Sequence, residues 1–439
     1  MTSEKILLKQ VRILEQAKER VEINEQGKTN ERTDIAIADG KICAIGTVPE
    51  DFKADTVIDG SHKTVLPGLV NAHTHVYMSV FRNYADDVPF ETWLFGKIAP
   101  MEDRMTPEDA YWGCMLSFAE MIRSGTTAFL DMHMFPRTVV RAAHDAGLRA
   151  VLSRGLQGTD RTDQGIIRRI NEAKDEMEYA KEIGSIATFM ISPHAIYTCG
   201  EDALRYALET AEELQIPVHI HMAETRKEYE DCLAQRGMTP VRYVDSLGLL
   251  DHKIVLAHCV RLADEDYPLL AKPLVAVAAN PASNAKLANG IAPVARMLRE
   301  GVCVSLGTDG ASSNNSQNMF TDMHLLSLLA KASEEDSLVL PAKETLQIAT
   351  ANGYRALGLD QNFGKIEEGY TADLILINED APSLLPHFDM ASALVYSANG
   401  SEVSDVIVNG KLLMKDRELL TIDEEKIRFE ISRITAQFP

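Results

Sequence analysis

Thr64-Val65-Leu66-Pro67-Gly68-Leu69-Val70-Asn71-Ala72-His73-Thr74-His75 opens the run on which the fold turns. Its first part, Thr64-Val70, is a short apolar stretch that reads as a strand. His73 and His75 follow just past it. Side chains at i and i+2 of an extended chain point to the same side, so both imidazoles can reach one ion. From here strand and helix signals alternate. Thr127-Leu130, Arg149-Ser153, Ile186-Ile191, Val218-His221, Ile254-Ala257, Leu274-Ala278 and Val302-Leu306 bring the strand count to eight. Most of them lack alternation, as parallel strands covered on both faces do. Between them lie helix signals. One opens at Thr106-Pro107, with Thr as cap, Pro at the first helical position and Gly125 beyond the end. Arg137-Ala146 is closed by Gly147, and the charged stretch Gln164-Ile183 reads as a solvated face. Eight βα units predict an α/β fold, a closed (β/α)8 barrel, with an open doubly wound sheet as the alternative.

The two ends of the chain read differently. Ile6-Val11, Thr33-Ile37, Lys41-Ile45 and Thr56-Ile58 are short runs rich in β-branched residues, with Asp39-Gly40 as a hairpin turn. Ala372-Ile377, Val403-Val408 and Lys411-Met414 repeat the pattern, with Asn409-Gly410 as the turn. The predicted division is therefore residues 1–65 as the N-terminal part of a small β-sandwich and 66–355 as the barrel. Residues 356–439 supply the C-terminal part of the sandwich and a final helix.

The 439 residues carry 44 basic and 65 acidic side chains, a net charge of -21. So acidic a surface repels phosphate backbones and excludes nucleic acid as a partner. Six cysteines, none in a Cys-x-x-Cys pair, read as free thiols in a reducing compartment. The start, Met1-Thr2-Ser3-Glu4-Lys5, leads into no signal-peptide core, and no apolar run reaches the ~18 residues of a membrane span. A cytoplasmic protein with no membrane partner is expected.

Four polar clusters fall at predicted strand ends, where barrels place their active sites. They are His73-Thr74-His75 after the first strand, His219-Ile220-His221 at the fifth, His258 at the sixth and Asp309 after the eighth. Imidazole and carboxylate suit Zn²⁺, and three or four protein ligands with one open position mark a catalytic site. Glu224 lies three residues past His221, where a carboxylate that is not a ligand can take a proton from activated water. The predicted fourth strand contains no lysine, which favours one metal over two. His194 reads as a turn residue from its surroundings, and His62, His133, His144, His252, His324 and His387 receive no role.

Pro67-Gly68-Leu69-Val70-Asn71-Ala72-His73-Thr74-His75 resembles the opening motif of the amidohydrolase superfamily. Arg82-Asn83-Tyr84-Ala85-Asp86-Asp87, Glu120-Met121-Ile122-Arg123-Ser124-Gly125-Thr126-Thr127, His221-Met222-Ala223-Glu224-Thr225, Asn280-Pro281-Ala282-Ser283-Asn284 and Gly307-Thr308-Asp309-Gly310 narrow it. Together they resemble the 5′-methylthioadenosine/S-adenosylhomocysteine deaminase family. Gly364-Lys365-Ile366-Glu367-Glu368-Gly369 is similar to the superfamily's C-terminal sandwich motif.

The resemblance implies one divalent metal, usually Zn²⁺ with Fe²⁺ as the alternative, on His73, His75, His221 and Asp309. It implies Glu224 as proton shuttle and His258 as a residue that helps orient the attacking hydroxide beside Asp309. Glu102 would grip the ribose hydroxyls, Arg154 and His194 would contact the sugar or its 5′ substituent, and Trp93 would wall the substrate. The implied reaction is hydrolytic deamination of S-adenosylhomocysteine or 5′-methylthioadenosine. A related aminohydrolase or chlorohydrolase acting on a guanine, pterin or triazine ring is the alternative. The family also implies a homo-oligomer, a dimer or tetramer. Three departures from its pattern, Ala99, Ala279 and the pair Gln317-Asn318, are expected to alter the pocket's shape.

Overall fold

The computed structural model describes residues 4–14, 32–359 and 361–438; residues 1–3 of the N-terminal stretch read above lie outside them. The chain opens with β1 (Ile6–Ile13), β2 (Thr33–Ala38), β3 (Lys41–Ile45), β4 (Thr56–Asp59) and β5 (Lys63–Pro67). The barrel strands follow: β6 (Leu69–Thr74), β7 (Thr126–His133), β8 (Arg149–Leu156), β9 (Thr188–Pro193), β10 (Val218–Met222), β11 (Ile254–His258), β12 (Val275–Ala279) and β13 (Cys303–Leu306). The chain returns through β14 (Leu374–Asn378), β15 (Val403–Val408), β16 (Lys411–Lys415) and β17 (Glu418–Leu419), then ends in a helix, Glu424–Thr435.

The eight barrel strands lie in sequential order from β6 to β13, and every pair is parallel. β5 bridges the two ends of the chain, pairing parallel with β1 and antiparallel with β14 in a nine-stranded mixed sheet. That sheet buries its own apolar set, including Ile6, Leu8, Ile35, Ile37, Leu374 and Ile407.

One expectation is corrected here. Thr64-Val70 is not a single barrel strand. Its first residues belong to β5 in the mixed sheet, and the first barrel strand starts at Leu69. Gly68 makes the hand-over, and a Cβ there would lie 2.0 Å from the Thr127 hydroxyl. Periodicity could not reveal the break because both halves are buried. The predicted strand at Ile186-Ile191 likewise sits two residues later, as β9, and contains no lysine. Both hairpin turns form as expected, with positive φ at Asp39 (50°) and Gly40 (75°) and at Asn409 (51°) and Gly410 (69°).

β6 and β13 meet at the barrel's seam through specific bonds. The Asp309 amide donates to the His73 carbonyl at 2.9 Å. The Thr308 amide donates to Asn71 Oδ1 at 3.0 Å, and Asn71 Nδ2 returns a bond to the Thr308 hydroxyl at 2.7 Å. Gln317 fastens the same seam. Its Nε2 donates to the Asp309 carbonyl at 2.9 Å, while its Oε1 accepts from Thr74 and Thr308 at 2.9 and 3.0 Å. Among the described residues no helix is long and apolar enough to cross a membrane.

Barrel and mixed sheet are joined by a buried ion pair. Arg149, at the start of β8, donates through Nε to Asp373 Oδ2 at 2.6 Å and through a second nitrogen to Oδ1 at 3.1 Å. Removing one partner strands the other charge in the interior, a loss of about 3–5 kcal/mol. Arg149→Met should therefore lower the unfolding free energy by about 3 kcal/mol in urea titration, and a change below about 0.5 kcal/mol would contradict this role.

Candidate active site

His73 stands in β6 and His75 directly after it, His221 lies in β10, and Asp309 follows β13. The ligating atoms of His73, His75 and His221 lie within 4.8 Å of one another, as do those of His73, His258 and Asp309. All five side chains are buried.

The protonation of the three imidazoles follows from their partners. His75 Nδ1 lies 2.7 Å from the Met132 carbonyl and His221 Nδ1 lies 2.8 Å from the His194 carbonyl. A carbonyl only accepts, so each Nδ1 carries the proton and each Nε2 keeps a lone pair. His73 is set by a longer relay. The Ser153 hydroxyl donates to the Asp131 carbonyl at 2.8 Å, so toward His219 Nδ1, 3.1 Å away, it accepts. His219 Nε2 is then an acceptor, and it takes the Nδ1 proton of His73 at 2.9 Å. His73 Nε2 is left buried without a hydrogen-bond partner.

The three bare nitrogens converge. His75 Nε2 and His221 Nε2 are 3.3 Å apart, and Asp309 Oδ1 is 3.5 Å from His73 Nε2 and 3.4 Å from His75 Nε2. Burial pushes His73 down to about 4 and His221 well below the imidazole range, so neither ring carries a positive charge. Asp309 stays a carboxylate because donors face both its oxygens: the Gly310 amide donates to Oδ1 at 2.8 Å. Ser283 and Ser313 donate to its other oxygen, at 2.6 and 2.9 Å. Lone pairs and a carboxylate facing one another in a buried cluster fit a divalent cation.

Strand ends that carry these groups are strained. Ala223, His258, Cys259 and Asp309, none of them glycine, have φ of 50°, 76°, 48° and 64°. Glu224 faces the cluster from the turn after β10. Its Oε1 accepts from Asn289 Nδ2 at 3.0 Å, and its Oε2 is 3.8 Å from His258 Nε2. Burial, then the charge of Asp309, raise Glu224 to about 8, so it can carry a proton at neutral pH.

These groups form one wall of a cavity of about 330 Å³. Trp93, Glu102, Arg154 and His194 also line it with His75, His221, Glu224, His258 and Asp309, and His73 stands behind them, 3.5 Å from Asp309. Trp93 sits on a π-helix, Thr92–Ile98, and its indole donates to the Ser312 carbonyl at 3.2 Å. Glu102 is buried, which raises its pKa, and accepts from the Tyr77 hydroxyl at 2.5 Å. Arg154 is oriented by Glu172, at 2.9 Å from its Nε.

Several lining residues escaped the sequence reading. Arg169 lies on helix Gln164–Glu182, read as a solvated face, yet it reaches the cavity beside Arg154, whose partner Glu172 is on the same helix. His133 also lines it, and its Nε2 lies 3.1 Å from the buried Glu176 carboxylate of the same helix, though not aligned for a hydrogen bond. Nothing in a charge pattern separates the few inward residues of such a helix from the rest. Of the three departures, Ala99 lines the cavity, whereas Ala279 and Gln317 do not. Gln317 is taken up by the barrel seam.

Residues 64–413 match the amidohydrolase family. The chain belongs to the amidohydrolase family. It is similar to a 5-methylthioadenosine/S-adenosylhomocysteine deaminase of Moorella thermoacetica, with 47% identity over 91% of this chain and 94% of that one. A protein of the same description from Thermoanaerobacter pseudethanolicus is 43% identical over 94% of this chain and 95% of its own. Among solved structures, a zinc-bound adenosine deaminase from Xanthomonas campestris superposes with a TM-score of 0.90 at 30% identity, covering 98% of both chains.

The relay makes His219 a test of whether the cluster binds a metal, without altering His73, His75, His221 or Asp309. His219→Phe removes the acceptor that fixes His73. Metal affinity should fall about 10–100-fold in chelator competition with the chain still folded, and unchanged affinity would contradict the relay.

Proposed function

We propose that this chain is a hydrolytic deaminase of adenine nucleosides bearing a 5′-thio substituent, S-adenosylhomocysteine, 5′-methylthioadenosine or both. The products are the inosyl analogue and ammonia. The observation that carries this reading is the placement of Glu224 and Glu102 in the same cavity as the histidine cluster. One carboxylate stands beside the metal-facing wall and one stands apart from it, held by Tyr77.

His73, His75, His221 and Asp309 would hold the metal, which we assign as Zn²⁺. When bound, such an ion supplies Lewis-acid activation of water near neutral pH. Glu224 takes a proton from the attacking water and hands it to the purine ring nitrogen. It then moves the second proton to the departing amine, so the carbon that loses ammonia gains the oxygen. His258 keeps the attacking oxygen in line between Glu224 and Asp309. Trp93 covers the base, and His194 contacts the nucleoside. Glu102 accepts from both ribose hydroxyls, a demand that a free guanine, pterin or triazine does not make.

Arg154 and Arg169 give the cavity a cationic stretch of wall. An amino-acid tail with its carboxylate fits this region, and so does the small methylthio group, with less to gain from it. The similarity of the chain to curated 5-methylthioadenosine/S-adenosylhomocysteine deaminases supports the same substrates.

Glu224→Gln, with metal content verified, should lower kcat by about 10²–10⁴-fold with little change in KM, as loss of a general acid and base does. Near-full activity would refute the proton-shuttle role. Arg169→Met should raise KM for S-adenosylhomocysteine by about tenfold and leave 5′-methylthioadenosine within about twofold, since a charge-assisted bond to a carboxylate is worth about 1.5–3 kcal/mol. Equal effects on both substrates would place the tail elsewhere.

A further inference from the structure

Thr225-Arg226-Lys227-Glu228 has the spacing of a capping box at the start of helix Arg226–Arg236. Half of the box forms, with the Glu228 amide donating to the Thr225 hydroxyl at 3.0 Å. The other half does not. In a capping box the Glu side chain returns to the amide of the cap residue itself. Here it reaches further back. Glu228 Oε1 accepts from the Ala223 amide at 3.1 Å, and Oε2 accepts from the Glu224 amide at 2.7 Å.

Both amides belong to the turn that leaves β10 and presents Glu224. That turn is strained, with Ala223 at φ 50°. Its other contacts tie it to the next strand end, where the Val260 and Arg261 amides donate to the Ala223 carbonyl at 3.0 and 2.9 Å. Glu228 is itself buried, and its two carboxyl oxygens are taken up by the two amides it satisfies. Asn289 holds the Glu224 carboxylate at one end, and Glu228 holds the backbone beneath it at the other.

We propose that Glu228 is a positioning residue for Glu224: its carboxylate pins the strained Ala223-Glu224 turn so that the Glu224 side chain meets the substrate. This rests on the reading of Glu224 as the proton carrier. Gln is the informative replacement, since it fills the same volume but offers one acceptor, with its NH2 group facing the second amide. Asp keeps the carboxyl group but falls one methylene short, and it carries the test if the Gln variant does not fold.

The experiment uses metal-loaded protein with S-adenosylhomocysteine, measuring kcat, KM, metal content and melting temperature for Glu228→Gln, Glu228→Asp, Glu224→Gln and the Glu228→Gln/Glu224→Gln pair. A displacement of about 1 Å can cost about 100-fold, so kcat should fall about 10–100-fold in either Glu228 variant. KM should stay within about threefold, with full metal content. In the Glu224→Gln background the second change should lower the residual rate little further, because a misplaced carboxyl and a missing one are the same loss. Unchanged kcat per metal-loaded folded chain overturns the proposal. So does an equal further drop in the Glu224→Gln background, which would make Glu228 a general support of the fold. The Glu224→Gln single variant judges the proton-carrier reading separately: if it stays active that reading fails, whatever Glu228 does.

Discussion

Three imidazole nitrogens, each left bare by the partner on the opposite side of its ring, converge in the interior, and one carboxylate oxygen faces two of them. The rest of the structure follows from that constraint. Neutral nitrogens at 3.3 Å with lone pairs turned toward each other repel unless a cation lies among them. Two of the protons are fixed by backbone carbonyls of the neighbouring strand ends. The third is fixed by a relay through His219 and Ser153 to the Asp131 carbonyl. The barrel thus sets the charge state of this histidine cluster through the register of its strands.

The same economy governs where strain sits. Ala223, His258 and Asp309 leave their strands with positive φ, and each brings its local chain to the metal-facing wall. Such conformations persist only when surrounding bonds over-determine them. Gln317 donates to the Asp309 carbonyl, Glu228 secures the Ala223 turn, and Asn284 Oδ1 lies 2.9 Å from His258 Nδ1. The machinery is therefore two layers deep, and the outer layer is polar and buried.

Much of this was legible in the sequence. Strand ends in an eightfold βα pattern collect His73, His75, His221, His258 and Asp309 because position along a strand fixes side and end. Glu224 was legible by its distance from His221. Residues acting through another residue were not. His219 reads as a spacing echo of His221, Glu228 as a helix cap and Gln317 as a change to the pocket, and only their partners in space reveal their tasks. Arg169 and His133 were hidden for a different reason. Helix Gln164–Glu182 shows its inward face in Ile166, Ile170, Ala173 and Ala180, but its many charges do not mark Arg169 as the one at the cavity, and His133 ends strand β7, where a lone histidine received no role. The Thr64-Val70 stretch misled because one apolar run serves two sheets, and burial of both faces erases the alternation that would mark the change.

The account is tested most directly by ammonia release from the Zn²⁺-loaded protein offered S-adenosylhomocysteine, 5′-methylthioadenosine, adenosine, adenine and guanine in parallel. It predicts turnover of the two thio-nucleosides well above that of either free base, because Glu102 and the cationic wall recognise what the bases lack. Release from adenine or guanine alone, or from none of the five, would contradict it.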